Sequence, residues 1–278
     1  MKKFLTKNSW WFYFILTYLI SWPVWAMGKA LLPENLSTIT LILGAFGPFA
    51  AAIIMLRLTT GGSGLKNWLR SAFNFKINVF WYLLAGIILP FLIAGVHHII
   101  YLAFGGKSGI VFSPDWLAYF AFLISTTLLT GGNEEPGWRG YITPVLIDRF
   151  HPVAACTIVG IGWAVWHAPM YFLEGWGGND QPFVWLLIYA IPLSMILTWL
   201  YFKSKKSIIP VMLLHAGTNV VFQYFPMETK VFDSVADEFT MIKTIVYALF
   251  AVILVVVTKG SLGYTKITTN TEEYEGTN

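Results

Sequence analysis

Eight apolar runs dictate what this chain can fold into. They fall at about 10–32, 39–58, 78–104, 114–132, 152–172, 182–203, 207–225 and 240–258, each near the ~20 residues that an α-helix needs to cross a bilayer. Within lipid the backbone must satisfy its own hydrogen bonds, so runs of this length are helices rather than strands or loops. The expected fold is therefore all-α and polytopic. Composition agrees, because only 12% of the residues are charged and the mean hydropathy is +0.65, against roughly 25% charged residues in a soluble domain. One integral membrane domain is expected over residues 1–264, with a motif core at 114–225, followed by a polar, disordered tail at 265–278.

Lys and Arg alternate in density from one connection to the next, as correctly placed spans require. Lys2, Lys3, Lys7, Arg57, Lys66, Arg70, Lys76, Arg139, Arg149, Lys203, Lys205, Lys206, Lys259 and Lys266 fall on one side. Lys29, Lys107, Lys230 and Lys243 fall on the other. This places both termini in the cytoplasm of a plasma-membrane protein. The net charge of +4 is then an orientation signal and not a nucleic-acid footprint, since no basic patch interleaves with solvent-facing aromatics. No small-x-small cleavage site follows the first apolar run, so it is expected to stay on the protein. The connection at 59–77 mixes bases with apolar residues and is expected to lie on the cytoplasmic interface.

Charge is costly at membrane depth and marks function there by default. Asn133-Glu134-Glu135-Pro136-Gly137-Trp138-Arg139 puts three ionisable groups into apolar sequence, and His167 and His215 follow alone in later runs. Gly131-Gly132 breaks the fourth run, and Asn133 suits the N-cap of a new helix over 134–149. Glu135 and Arg139 stand at i,i+4 in the favoured order for an ion pair. Glu134 points about 100° away, which frees it for another role. Trp138 and Tyr141 share its helical face and disfavour its charge by desolvation, whereas the positive end of the helix favours it.

If 134–149 and 152–172 form a helical hairpin, Glu134 and His167 both lie roughly 24 Å from the turn, level with each other. His215 and Asn219 share one face of the seventh run, but His215 stands only about 12–15 Å from the same end, so convergence requires tilt or a later helix start. Together these groups suit amide hydrolysis by activated water. Glu134 and His167 would take the proton, with His215 and Asn219 on the oxyanion and leaving group. Glu135 and Arg139 would support them, and Trp138, Trp163 and Trp166 are candidate pocket residues. A proton-relay or transport path would use similar residue types.

Other chemistries are poorly served. Cys156, the sole cysteine, lies ~16 Å along the same helix from His167, too far for a thiol–imidazole dyad. Neither His-Glu-x-x-His nor Gly-x-Ser-x-Gly occurs. No cofactor is required by the metal-free scheme. Zinc held by Glu134, His167 and His215 is the alternative, since two histidines and a carboxylate form a catalytic zinc set.

These residues resemble the CAAX prenyl protease 2 type of intramembrane protease and its bacterial relatives, the CAAX protease and bacteriocin-processing group. The family pattern is Glu-Glu-x-x-x-Arg, Phe-x-x-x-His and His-x-x-x-Asn/Asp. Glu134 to Arg139 match the first element and His215 to Asn219 the third, while Trp163-Ala164-Val165-Trp166-His167 carries Trp at the aromatic position. The resemblance implies a glutamate-type or metal-dependent endopeptidase with a conical chamber open to the cytoplasm. It implies a catalytic role for Glu134, His167, His215 and Asn219. It further implies cleavage near a substrate's C-terminus or at a leader or pheromone peptide. Expected partners are a peptide or protein, in some cases lipidated, and membrane lipid, without nucleic acid. The competing class is a non-catalytic scaffold or regulator that keeps the protease fold.

Overall fold

The computed structural model describes residues 2–108, 115–172, 182–229, 231 and 238–266. All regular structure among them is helical. After a short turn of helix at Lys2–Lys7 come α1 (Ser9–Leu31), α2 (Glu34–Ala45), α3 (Gly47–Ala72), α4 (Val79–Ala103) and α5 (Trp116–Leu129). The motif helix α6 covers residues 132–147, followed by α7 (Pro152–Trp166), α8 (Phe183–Lys203), α9 (Ile209–Val220) and α10 (Glu238–Val257). The tail beyond 266 lies outside the described residues.

Five helical segments are long and apolar enough to cross a membrane: Ser9–Leu31, Thr38–Ala72, Val79–Ala103, Phe183–Lys203 and Phe239–Val257. The expected count of eight is not reached by this measure. The three remaining runs form shorter helices, of 14 residues in α5, 15 in α7 and 12 in α9. These short helices bear or flank the motifs, and they are short because the site interrupts them. Apolar residues cover the outside of the bundle, with Leu117 83% and Val257 74% exposed, a surface that lipid tolerates and water does not.

The break before the motif occurs as expected, but its cap differs. Gly131 holds the N-cap position at φ +91°, a conformation that glycine adopts without steric cost. Asn133 lies inside the following 3₁₀ turn (Gly132–Glu134), buried, with neither amide atom partnered among the described residues. It is therefore no N-cap. A π turn at Trp138–Ile142 then interrupts α6. The even four-residue spacing that was expected to place Trp138 beside Glu134 fails on both sides of Glu135–Gly137.

The 59–77 segment is not a plain connection. Helix α3 runs to Ala72 across a kink at Gly61, where φ is +77°. Past the kink, the Trp68 indole N–H donates to the Gly140 carbonyl at 2.8 Å, which ties this stretch to the π turn. Helix α3 also approaches α6 closely, and a Cβ at Gly137 would overlap the Pro48 carbonyl oxygen and the Tyr13 hydroxyl. Gly137→Ala is expected to destabilise the protein by about 1–3 kcal/mol, the usual cost of overpacking. Thermal unfolding in detergent measures it; an unchanged midpoint would show that α3 and α6 separate freely.

Cys156 is fully buried against Met195, Ala251 and Leu262, a small apolar filler as its sequence context suggests. His97 and His98 are buried between helices, His97 with Nε2 3.1 Å from the Phe239 carbonyl oxygen.

Candidate active site

Helices α6 and α7 form the expected hairpin, turning at 148–151 between Ile147 and Pro152. Across it, Glu134 Oε2 accepts a hydrogen bond from the Trp163 indole Nε1–H at 2.7 Å. Trp163 occupies the aromatic position one helical turn before His167. Its own carbonyl oxygen lies 2.9 Å from His167 Nδ1. That contact makes Nδ1 the protonated nitrogen and leaves the Nε2 lone pair free. The two rings also meet, with centroids 4.3 Å apart. A single residue thus orients both the carboxylate and the imidazole.

His215 reaches the same place by a different contact. Its Nδ1 lies 2.6 Å from Glu135 Oε1, and Arg139 Nη1 donates to both oxygens of that carboxylate at 3.0 Å. Glu135 and Arg139 are 0% and 2% exposed, so the carboxylate offsets the buried guanidinium and fixes the His215 ring together. The i,i+4 pair is as the sequence predicts. Its extension to His215, 80 residues away, carries no local sequence signal. At the start of α9, Ser207 and Ile208 are fully buried, and Ile208 N–H donates to the Ala72 carbonyl at 2.8 Å, which ties this helix to the end of α3.

Glu134, His167, His215 and Asn219 all line one cavity of about 320 Å³. Trp163 and Trp166 contribute to its wall, with Trp25, Gly131, Met170 and Tyr189 added by the tertiary structure. Trp138 does not. It is 0% exposed and packs on Tyr13, Phe14 and Trp166 beneath the site, a correction to its expected place in the pocket. At Gly131 a Cβ would stand 2.9 Å from Asn219 Nδ2 and 3.5 Å from His215 Nε2, so the glycine lets backbone approach both side chains.

Among the described residues no three His, Cys, Asp or Glu side chains are grouped to hold a metal ion. Glu134, His167 and His215 each direct an atom to protein: Glu134 to the Trp163 indole, His167 to a carbonyl and His215 to Glu135.

The fold and cavity define a class: a polytopic helical membrane protein that gathers one glutamate, two histidines and one asparagine, from three sequence-distant segments, around one cavity. Residues 115–221, which include Glu134, Trp163, His167, His215 and Asn219, match the family described as type II CAAX prenyl endopeptidase, Rce1-like. The chain is also similar to CAAX prenyl protease 2 of Methanococcus maripaludis, with 26% identity over 236 residues that cover 75% of this chain and 82% of that protein.

Proposed function

We propose that this protein is an intramembrane endopeptidase that hydrolyses a peptide bond with water activated by Glu134 and His167. The observation that carries the reading is the convergence of Glu134, His167, His215 and Asn219 on one cavity. Water held between the Glu134 carboxylate and His167 Nε2 gives up a proton as its oxygen attacks the scissile carbonyl. His215 Nε2 and Asn219 Nδ2, on the Gly131 side of the cavity, donate to the oxyanion that forms. For His215 this role requires the imidazolium form, with Glu135 as its counter-ion. The proton taken from water then passes to the leaving amine. Candidate substrates are C-terminal CAAX-type sequences and leader or pheromone peptides, lipidated ones included. Multi-pass insertion in the plasma membrane with cytoplasmic termini accords with the charge alternation.

Peptides released by membranes carrying the wild-type protein, compared by mass spectrometry with those from membranes carrying Glu134→Ala at matched expression, test this reading. Products present only with the wild type, and undiminished by a chelator, are expected. Identical peptide sets would favour the scaffold, and loss of products on chelation would favour a metalloprotease.

Trp163→Phe supplies a second expectation. The substitution keeps the ring and restores the residue of the family pattern, yet removes the N–H donated to Glu134. A hydrogen bond to a charged group contributes about 1.5–3 kcal/mol, so kcat/KM should fall about tenfold or more with KM little changed. In ¹⁵N spectra of the nanodisc-embedded protein, the indole signal lost in Trp163→Phe should be the one that moves in Glu134→Gln. Unaltered kinetics would mean that the indole does not position the carboxylate.

A further inference from the structure

The end of the bundle that carries Lys203, Lys205, Lys206, Lys259 and Lys266 holds a second cavity, of about 490 Å³, within the roughly 300–1,000 Å³ of small-molecule sites. Four helices contribute to its wall. Past the Gly61 kink, α3 supplies Trp68, and α6 supplies Gly140 and, just past its end, Asp148. The end of α8 and the turn after it supply Tyr201 and Lys206, and the chain beyond α10 supplies Tyr264 and Lys266. The last two stretches meet through the Phe202 and Tyr264 rings, edge to face with centroids 5.4 Å apart. The Lys203 stem lies beside them, 3.3 Å from where a Cβ at Gly263 would stand. No lining residue is shared with the candidate active-site cavity.

Two spans fix the level of this cavity. Phe183–Lys203 and Phe239–Val257 are apolar and long enough to cross a membrane, so Lys206 and Tyr264, each a few residues past such an end, stand at the height of lipid headgroups. Trp68, Tyr201 and Tyr264 are residue types that gather at that interface. Lys206 and Lys266 are exposed, and among the described residues neither has an ion-pair partner. Asp148 is the one acid among the described lining residues, so the wall keeps a net positive charge. Backbone conformation adds a second observation. Lys205, Lys206, Lys259 and Leu262 are the non-glycine residues at positive φ among the described residues, between +49° and +60°, and all four lie just past α8 or α10. Gly or Asn takes that conformation at lower cost, so the turn alone does not account for lysine at 205 and 206. We infer that this cavity binds the headgroup of an anionic phospholipid, with Lys206 and Lys266 on the phosphate and Asp148 on a headgroup hydroxyl. Gly140 in the wall follows Arg139 in the chain and accepts from the Trp68 indole. The bound headgroup thus braces the segment that carries the Glu135–Arg139 pair. The inference does not depend on the proteolytic reading.

Native mass spectrometry of the full chain in detergent decides the matter, with phosphatidylglycerol as the probe and phosphatidylcholine as the zwitterionic control. Phosphatidylglycerol should be retained about tenfold more strongly, as two lysines beside an anionic headgroup require. Lys206→Gln/Lys266→Gln should abolish that preference, and Lys206→Arg/Lys266→Arg should keep it. Lys2→Gln/Lys3→Gln should keep it too, although it removes two exposed lysines from the same end, where Arg149 bonds the Thr6 and Lys7 carbonyls. A preference that survives the first variant, or that falls equally in all three, overturns the proposal. Displacement of the lipid by an equal concentration of glycerol 3-phosphate also overturns it, since the site would then be one for a soluble phosphate.

Discussion

Glu134→Gln should lower peptide hydrolysis by about 10²–10⁴-fold, the usual contribution of a positioned general base, while leaving the fold intact. The expected retention of structure has a specific reason. The Gln amide oxygen can still accept from the Trp163 indole, which donates to Oε2 at 2.7 Å in the native site, so the substitution removes the proton acceptor and keeps the contact. Single-turnover cleavage of a peptide identified from the membranes, alongside thermal unfolding of the same preparation, separates the two effects. Full activity in this variant would sink the assignment of Glu134 to water activation, whatever the fate of the other residues.

The second large effect is expected at Glu135, and it is one of stability as well as of activity. Glu135→Ala leaves the Arg139 guanidinium buried without its carboxylate and His215 Nδ1 without an acceptor, where the native distances are 3.0 and 2.6 Å. Removing one partner of a buried pair costs about 3–5 kcal/mol, because the remaining charge is left uncompensated. The double variant Glu135→Ala/Arg139→Ala should recover part of that loss in unfolding midpoint but not the activity, since His215 remains unanchored. A single variant as stable as the wild type would show that the carboxylate does not compensate Arg139. Non-additivity in this cycle is the signature of a direct interaction.

The sequence by itself determined that the chain is helical and membrane-embedded, which residues stand alone in apolar surroundings, and that Glu135 and Arg139 pair. Each of these rests on local physics: the length of an apolar run, the cost of a buried charge, and the 3.6-residue period that brings i and i+4 together. The hairpin argument also placed Glu134 level with His167, because two helices leaving one turn climb at the same rate. What the period could not supply was helix phase after an irregular turn. The 3₁₀ turn at Gly132–Glu134 changed the phase between Glu134 and Trp138, which packs outside the pocket, and it denied Asn133 its capping role. Nor could it supply depth. His215 meets Glu135 across 80 residues of chain, and Glu134 meets the Trp163 indole across the hairpin. Rotation and depth are fixed by close packing between helices, such as the backbone of α3 lying where a Gly137 side chain would be. Such contacts join residues far apart in the chain, and only the tertiary structure contains them.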